Sequence, residues 1–161
     1  MDGTIGRIRA YPEKGAEGTE LGEARLIENL GLEGDYHASN LRFGGGERQI
    51  SLFLSESREQ MAGAKEKGLC FLRFRENITL SGLAAAALKP GVCLAAGEAV
   101  LEITGETKRC HEECALYEAG KRCALAGQNL FAKVLKGGVI RAGDRIEVVS
   151  ANTREVLLCL K

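Results

Sequence analysis

Short apolar segments recur along the chain, many with every second residue apolar, and turns that contain glycine separate them. This alternation is typical of strands that bury one face. Strands are predicted at residues 4–10, 23–29, 48–54, 72–80, 92–95, 99–104, 139–149 (a strand, a Gly-Asp turn and a strand) and 154–160. The 21 glycines suit many tight turns better than long helices. The pattern therefore predicts a mainly β domain of about seven or eight strands, a barrel or a strongly bent sheet.

The pattern also predicts two or three short helices at the periphery of the sheet. Helical segments are expected at residues 55–67, 83–88 and 128–136. Ser55 is a residue type that caps helix starts, and Gly68 is a residue type that follows helix ends. In the last segment Leu130, Phe131, Val134 and Leu135 fall on one helical face, which predicts an amphipathic helix.

Charge and composition narrow the class of protein. Lys plus Arg and Asp plus Glu both total 22 in 161 residues, so the formal net charge is zero. No general positive field is available for nucleic acid, and an aromatic content of 5% without Trp disfavours a base-stacking surface. No stretch reads as a signal peptide or a membrane span. A single cytoplasmic domain over residues 1–161 is expected, with no nucleic-acid or membrane partner.

The segment 107–123 holds three of the six cysteines and one of the two histidines. Cys110 directly follows Lys108 and Arg109, and neighbouring cations stabilise the thiolate, which is the nucleophilic and metal-binding form of cysteine. In a reducing compartment the thiols stay free, so the even number of cysteines is no sign of disulfides. Cys110 is therefore predicted to be a working thiolate, either a persulfide carrier or a metal ligand.

Two other interpretations of this segment stay open. The first is a structural zinc site made of Cys110, His111, Cys114 and Cys123. A short helix at residues 111–119 would place Cys110 and Cys114 on one face. Zinc sites, however, usually present two close pairs of ligands, and only one such pair exists here. The second interpretation is that these cysteines are small apolar residues that fill space.

Two further positions are candidates for binding. His37 follows Gly34 and Asp35 in a turn-like sequence, where it could be a ligand or an acid–base group near neutral pH. Asp35 could equally be a turn residue and His37 an exposed or hydrogen-bonded side chain, and the sequence alone favours this structural interpretation. The glycines at residues 44–46, followed by Arg48, could present N–H groups to an anion, although the spacing is not that of a phosphate loop.

Arg73, Arg75 and Asn77 form a third candidate group. On the predicted strand 72–80 they share one face, so that two guanidinium groups and an amide line one surface. Guanidinium groups match phosphate oxygens in a bidentate manner. A solvated face that pairs with carboxylates is an equally good interpretation of the same residues.

Several short motifs of the chain occur in an order that is typical of one family. They are Gly34-Asp35 with His37, Arg48-Gln49-Ile50-Ser51-Leu52, Arg75-Glu76-Asn77-Ile78, residues 88–91, residues 97–104 leading to Cys110, residues 130–134, and residues 138–144. In this order, which spans about residues 4–149, the chain resembles the MOSC family, named for the C-terminal domain of molybdenum cofactor sulfurases. It is most similar to small stand-alone bacterial members that lack a cysteine-desulfurase-like domain.

The resemblance implies a β-barrel like that of the pyruvate kinase barrel domain, and a role with the molybdenum cofactor, a molybdopterin. By position, Cys110 corresponds to the cysteine proposed in the family to carry sulfur or to ligate molybdenum. The phosphate of the pterin gives basic side chains an anion to bind, which is our inference rather than a family motif. The candidate cofactor-binding residues are His37, Arg48, Arg73, Arg75, Asn77, Lys108 and Arg109.

Three functions remain open at this stage. The first is a cofactor-binding or sulfur-carrier module that works with a cofactor-biosynthesis or sulfur-donating protein. The second is a small molybdoenzyme that reduces N-hydroxylated compounds with electrons from a partner reductase. The third is an interaction domain whose fold is held by a structural zinc site.

Overall fold

The computed structural model describes residues 1–39, 46–63, 68–105, 111–119 and 129–150, together with residue 155. Its strands are β1 Asp2–Ala10, β2 Thr19–Leu21, β3 Glu23–Ile27, β4 Gly31–Leu32, β5 Ile50–Leu54, β6 Ile78–Ser81, β7 Cys93–Ala96, β8 Ala99–Ile103, β9 Asn129–Lys136, β10 Gly138–Arg141 and β11 Arg145–Val149. Its helices are α1 Tyr36–Ser39, α2 Ser55–Ala62 and α3 Leu69–Arg73, with a 3₁₀ turn at Ala85–Ala87. The domain is mainly β with few short helices, as predicted. No helix in the described ranges is long and apolar enough to cross a membrane.

Seven strands close into a barrel in the order β11-β7-β8-β9-β5-β6-β1, because β1 pairs back onto β11. The strands pair antiparallel except β5 and β6, which run parallel. One edge of β1 meets β11 near its start and β2 near its end. A separate sheet has the order β10-β3-β4, so the two strands predicted at residues 139–149 belong to different sheets.

The barrel interior is filled by aliphatic side chains that contribute most of the hydrophobic stabilisation. In β1, both Ile5 and Ile8 are fully buried in this core although they lie three residues apart. A register shift between Ile5 and Arg7 explains the spacing, since a bulge changes which residues face inward. A second cluster, made of Phe53, Met61, Phe74 and Phe131, is buried separately, with Phe71 packed against it.

The predicted helix at residues 128–136 is wrong, because Asn129–Lys136 is strand β9; residue 128 lies outside the described residues. Leu130, Ala132 and Val134 alternate into the barrel core, whereas Phe131 belongs to the second cluster. A strand buried on both faces has a nearly continuous apolar run, which periodicity alone does not distinguish from a helix.

The predicted strand at residues 72–80 is also wrong in its first half. Helix α3 ends at Arg73, and the strand β6 begins only at Ile78. Between them Glu76 and Asn77 are buried polar residues whose side chains bond to other parts of the chain. Arg73, Arg75 and Asn77 therefore do not share a strand face, and other geometry brings them together.

Helix α2 differs from its prediction at both ends. Leu54, not Ser55, is the residue before the first helical position, and no side chain caps the helix. Ser55 donates instead to the Glu56 carboxylate, at 3.2 Å. The helix ends at Ala62, and Gly63 is its C-cap; residues 64–67 lie outside the described residues.

Candidate functional site

A cavity of about 370 Å³ lies where β1 ends and where β5 and β6 begin. We call it the basic cavity. Five residues predicted as cofactor-binding line it: His37, Arg48, Arg73, Arg75 and Asn77. Lys14 and Ser51 add further polar groups, and Tyr11, Tyr36, Phe74 and Phe131 add aromatic walls. Topology therefore gathers residues that are far apart in sequence at one end of the barrel.

Asn77 is the centre of a buried hydrogen-bond network at the base of the basic cavity. Its Oδ1 accepts hydrogen bonds from the Ser51 backbone N–H, at 3.0 Å, and from the Ser51 hydroxyl, at 2.9 Å. Its Nδ2 donates to Asp35 Oδ1, at 2.9 Å, and to the Arg9 carbonyl, at 3.2 Å. The side chain thus joins β1, β5 and the start of β6 to the loop that carries Asp35.

Asp35 is buried to 2% exposure, and both of its oxygens accept hydrogen bonds. Oδ1 accepts from the backbone N–H of Tyr11, at 2.8 Å, in addition to Asn77. Oδ2 accepts from the backbone N–H of His37, at 3.0 Å, and lies 2.9 Å from His37 Nδ1. The carboxylate thereby fixes the orientation of an imidazole that lines the basic cavity, an arrangement suited to holding or transferring a proton.

The pKa of Asp35 lies below its ordinary value. Burial alone would raise this pKa, but the hydrogen bonds from the His37 ring and from the N–H groups of Tyr11 and His37, with the charge of His37, outweigh burial. A carboxyl group with a lowered pKa stabilises the fold above its unfolded pKa, about 3.8. This stabilisation is lost as the pH falls through the folded pKa.

We therefore expect the free energy of unfolding to fall as the pH is lowered from about 5 to about 2, and we expect Asp35→Asn to flatten that fall. Urea unfolding at a series of pH values measures both slopes. Glu56→Gln is the control, because the pKa of Glu56 is also lowered, chiefly by the Gly82 N–H, but the side chain is exposed. Salt should weaken the Glu56 effect and spare that of Asp35. Parallel slopes for Asp35→Asn and wild type would contradict the assignment.

Three cations of the basic cavity have no carboxylate partner among the described residues: Lys14, Arg73 and Arg75. Arg75 donates to the Ala16 carbonyl, which anchors the loop before β2 over the cavity. Glu13 is the acidic residue of the described lining. The excess of positive charge suits the cavity to an anionic ligand.

Aromatic rings support the arginines of the basic cavity. The Arg48 guanidinium lies 5.0 Å from the centre of the Phe131 ring, and the Arg75 guanidinium lies 5.9 Å from the centre of the Tyr11 ring. Tyr11 is fixed in turn, because its hydroxyl donates to the Glu76 carbonyl, at 3.1 Å. Flat apolar walls beside guanidinium groups provide surfaces for a planar heterocycle that carries an anionic group.

The cysteine segment is described only in part. Residues 111–119 form turns, in which the Cys114 N–H donates to the His111 carbonyl, so the predicted helix there is wrong. Cys114 is a free thiol that accepts a hydrogen bond from the Leu69 N–H, at 3.4 Å, and neither it nor His111 lines the basic cavity. Four predicted site residues lie outside the described residues: Lys108, Arg109, Cys110 and Cys123. Across the described residues no three His, Cys, Asp or Glu side chains group as a metal site requires.

Sequence reasoning did not assign a site role to Asp35, Ser51, Lys14 or the aromatic walls. Asp35 and Ser51 lie within the quoted motifs, so motif order held a signal for them. Lys14 lies in a loop rich in Gly and Glu, where no pattern distinguishes it from a solvated lysine.

Three comparisons place the chain among known proteins. The family model of the MOSC domain matches residues 33–147. The crystal structure of the YuaD protein from Bacillus subtilis is similar over 92% of this chain and 96% of its own, with 21% identity and a TM-score of 0.68. The crystal structure of YiiM from Escherichia coli is similar over 93% of this chain and 70% of the YiiM chain, with 20% identity and a TM-score of 0.60. YiiM from Geobacillus stearothermophilus has 20% identity and a TM-score of 0.58. These likenesses show a shared fold, and no curated protein matches the sequence.

Proposed function

This chain belongs to the MOSC domain family, which is commonly linked to the molybdenum cofactor, and we propose that it binds this cofactor in the basic cavity. In this proposal Cys110 ligates the molybdenum or carries a persulfide for it, within a cytoplasmic path of cofactor maturation or delivery. The observation that carries the proposal is the set of cavity cations, Lys14, Arg73 and Arg75, that have no carboxylate partner in the part of the chain that the structure describes. A cofactor-biosynthesis or sulfur-donating protein is the expected partner.

The groups around the basic cavity fit the cofactor. The volume of the basic cavity, about 370 Å³, lies in the range of small-molecule sites. Arginine forks can bind the phosphate of the pterin in a bidentate manner, and Tyr11 and Phe131 offer flat faces to its ring system. When bound, the cofactor supplies a redox-active metal held by dithiolene sulfurs. The chain supplies binding, orientation and a proton-holding group.

The path of the chain before Cys110 supports its assignment. The Thr104 N–H donates to the carbonyl of Phe131, at 2.9 Å, and the Thr104 hydroxyl donates to the carbonyl of Glu47, at 2.6 Å. Glu47 precedes Arg48, so Thr104 is fixed next to two residues of the cavity wall. Cys110 follows six residues later, and an extended chain of that length spans at most about 20 Å. A linker of this length permits Cys110 to contact a ligand in the basic cavity, which supports the proposal.

A second candidate function is the reduction of N-hydroxylated compounds with electrons from a partner reductase. The pair of the buried Asp35 and the half-buried His37, which lines the cavity, favours it. Conversion of a hydroxylamine to an amine and water consumes two electrons and two protons, so such a site needs a positioned proton donor. A carrier has no such need. Turnover of a hydroxylamine by cofactor-loaded protein with a chemical reductant separates the two functions.

The test is the cofactor content of protein purified from a host that makes the molybdenum cofactor. Wild type should release a fluorescent pterin after oxidation and contain molybdenum. Cys110→Ser should contain at least about tenfold less of both, because a hydroxyl is a poor substitute for a soft thiolate ligand. Cys114→Ser is the matched control and should retain wild-type content, since Cys114 does not line the basic cavity.

Other outcomes of the same measurement are equally informative. Equal pterin and molybdenum in wild type and Cys110→Ser would reject Cys110 as the ligand. Stoichiometric zinc without pterin, together with loss of fold on chelation, would support the interaction domain held by a structural zinc site instead. Arg73→Gln should lower pterin content, whereas Arg141→Gln should not, because Arg141 is exposed and pairs with Glu23 away from the basic cavity.

A further inference from the structure

A second cavity, of about 460 Å³, lies on the other side of a wall formed by Tyr11, Phe74 and Arg75, which line both cavities. Its basic side chains are Arg7, Arg9, Arg58 and Arg75. We call it the arginine groove. Its acidic side chains are Glu17 and Glu76.

Strand geometry places two of these arginines on the outside of the barrel. Ile8 and Ala10 belong to the buried core, so Arg7 and Arg9 alternate with them and point away from it. Arg58 comes from α2. Its guanidinium lies 4.7 Å from the centre of the Phe53 ring, which fixes it at the wall of the groove.

The charges in the arginine groove do not balance. Arg58 is paired with the buried Glu76, at 2.5 Å, and Arg7 is paired with Glu20, at 3.5 Å. Arg9 and Arg75 form no ion pair with any described residue.

Two donor groups of the groove are also unused. The Nε atoms of Arg9 and Arg58 are buried and have no acceptor among the described residues. An unpaired buried donor costs free energy. The groove therefore combines unpaired positive charge with donors that lack acceptors.

We infer that the arginine groove binds a phosphate-type oxyanion between Arg9 and Arg75, at a site separate from the basic cavity. Guanidinium groups present paired N–H donors that match the oxygens of phosphate. The oxyanion is either free phosphate or a phosphoryl group of a larger ligand that extends past Arg75. This inference does not depend on the molybdenum cofactor, because Arg9 is not in the described lining of the basic cavity; Arg75 is the residue of the site that lines both cavities.

The test is a titration of cofactor-free protein with inorganic phosphate at constant ionic strength, followed by NMR of the arginine Nε–H signals. The signals of Arg9 and Arg58 should shift along a saturable curve. Arg9→Gln should weaken this binding at least about tenfold, because it removes one of the two forks. It should leave the response of Arg73, in the basic cavity, unchanged. Arg73→Gln should weaken the response in the basic cavity and leave the response of Arg9 unchanged. Arg75→Gln should weaken the response in both cavities.

A variant at an exposed position tests the same inference without a risk of unfolding the protein. Glu17 is exposed, so Glu17→Gln removes a repelling carboxylate without risk to the core and should tighten phosphate binding about twofold to threefold. Signals that do not shift, that shift without saturation, or that Glu17→Gln and Arg9→Gln leave unaffected would overturn the inference.

Pyrophosphate distinguishes the two sources of the oxyanion. If one ligand extends past Arg75, pyrophosphate should bind at least about tenfold more tightly than phosphate, and both Arg9→Gln and Arg73→Gln should abolish the gain. If the oxyanion is free phosphate, pyrophosphate should show no gain that depends on Arg73. Loss of cofactor content in Cys110→Ser bears on neither result, so failure of the proposed function and failure of this inference are separable.

Discussion

Asn77→Ala is expected to lower the free energy of unfolding by about 3–4 kcal/mol. The side chain is 2% exposed and makes four hydrogen bonds. Its removal leaves the Ser51 N–H without its side-chain acceptor and takes a donor from the buried carboxylate of Asp35. A buried polar group that loses its hydrogen-bond partner destabilises the fold by its full desolvation free energy, which is larger for a charged group. Urea unfolding of both proteins measures the difference.

Asn129→Ala is the matched control for Asn77→Ala. Asn129 is 3% exposed, nearly as buried as Asn77, but its Oδ1 has no hydrogen-bond partner among the described residues. Its truncation should cost only about 1 kcal/mol, because little hydrogen bonding is lost. Similar losses in the two variants would mean that burial, not the network, determines the stability contribution of Asn77.

Arg58→Ala is expected to lower the free energy of unfolding by about 3–5 kcal/mol. Arg58 is paired at 2.5 Å with Glu76, whose side chain is 5% exposed. Truncation leaves that carboxylate buried, with the Thr79 hydroxyl, at 3.3 Å, as a remaining donor. It also removes the cover that the guanidinium gives to the Phe53 ring. Because of this cost, Arg9→Gln is the better probe of the arginine groove.

Two further variants isolate the cause of the Arg58 effect. Arg145 pairs with Asp2, at 2.7 Å, but both side chains are exposed, so Arg145→Ala should cost less than about 1 kcal/mol. Adding Glu76→Gln to Arg58→Ala should recover part of the loss, since the neutral amide is cheaper to bury unpaired. If the double variant is no more stable than Arg58→Ala, an uncompensated charge is not the reason.

The hydrophobic pattern predicted strands such as β1, in which one face is buried and the other is exposed to solvent. In β1, Ile8 and Ala10 alternate with Arg7 and Arg9, and this signal was sufficient. It failed for β9, because Leu130 and Phe131 enter two different clusters on opposite faces. The barrel class could therefore be predicted from the sequence, but not every strand that builds it.

The basic residues of the cavity were grouped in the prediction by the wrong local geometry. Arg73, Arg75 and Asn77 were placed on a strand face that does not exist, yet all of them line the basic cavity. The partners of Asn77 lie 26, 42 and 68 residues away in sequence, so only the folded barrel brings them together. For the same reason no sequence pattern distinguishes Arg7 and Arg9 from a solvated strand face, because only the folded chain places Arg58 of α2 beside them.

The seam between β1 and β11 joins residues 2–4 to residues 145–147, and every other barrel strand lies between them in sequence. During synthesis the first strand leaves the ribosome long before its closing partner exists. Until then β1 and β7 each present an open edge, the kind of edge that pairs with other chains. Contacts this distant in sequence also slow folding. The described lining of the basic cavity ends at Phe131, so a nascent chain holds all of those residues before the strand that shuts the barrel has been made.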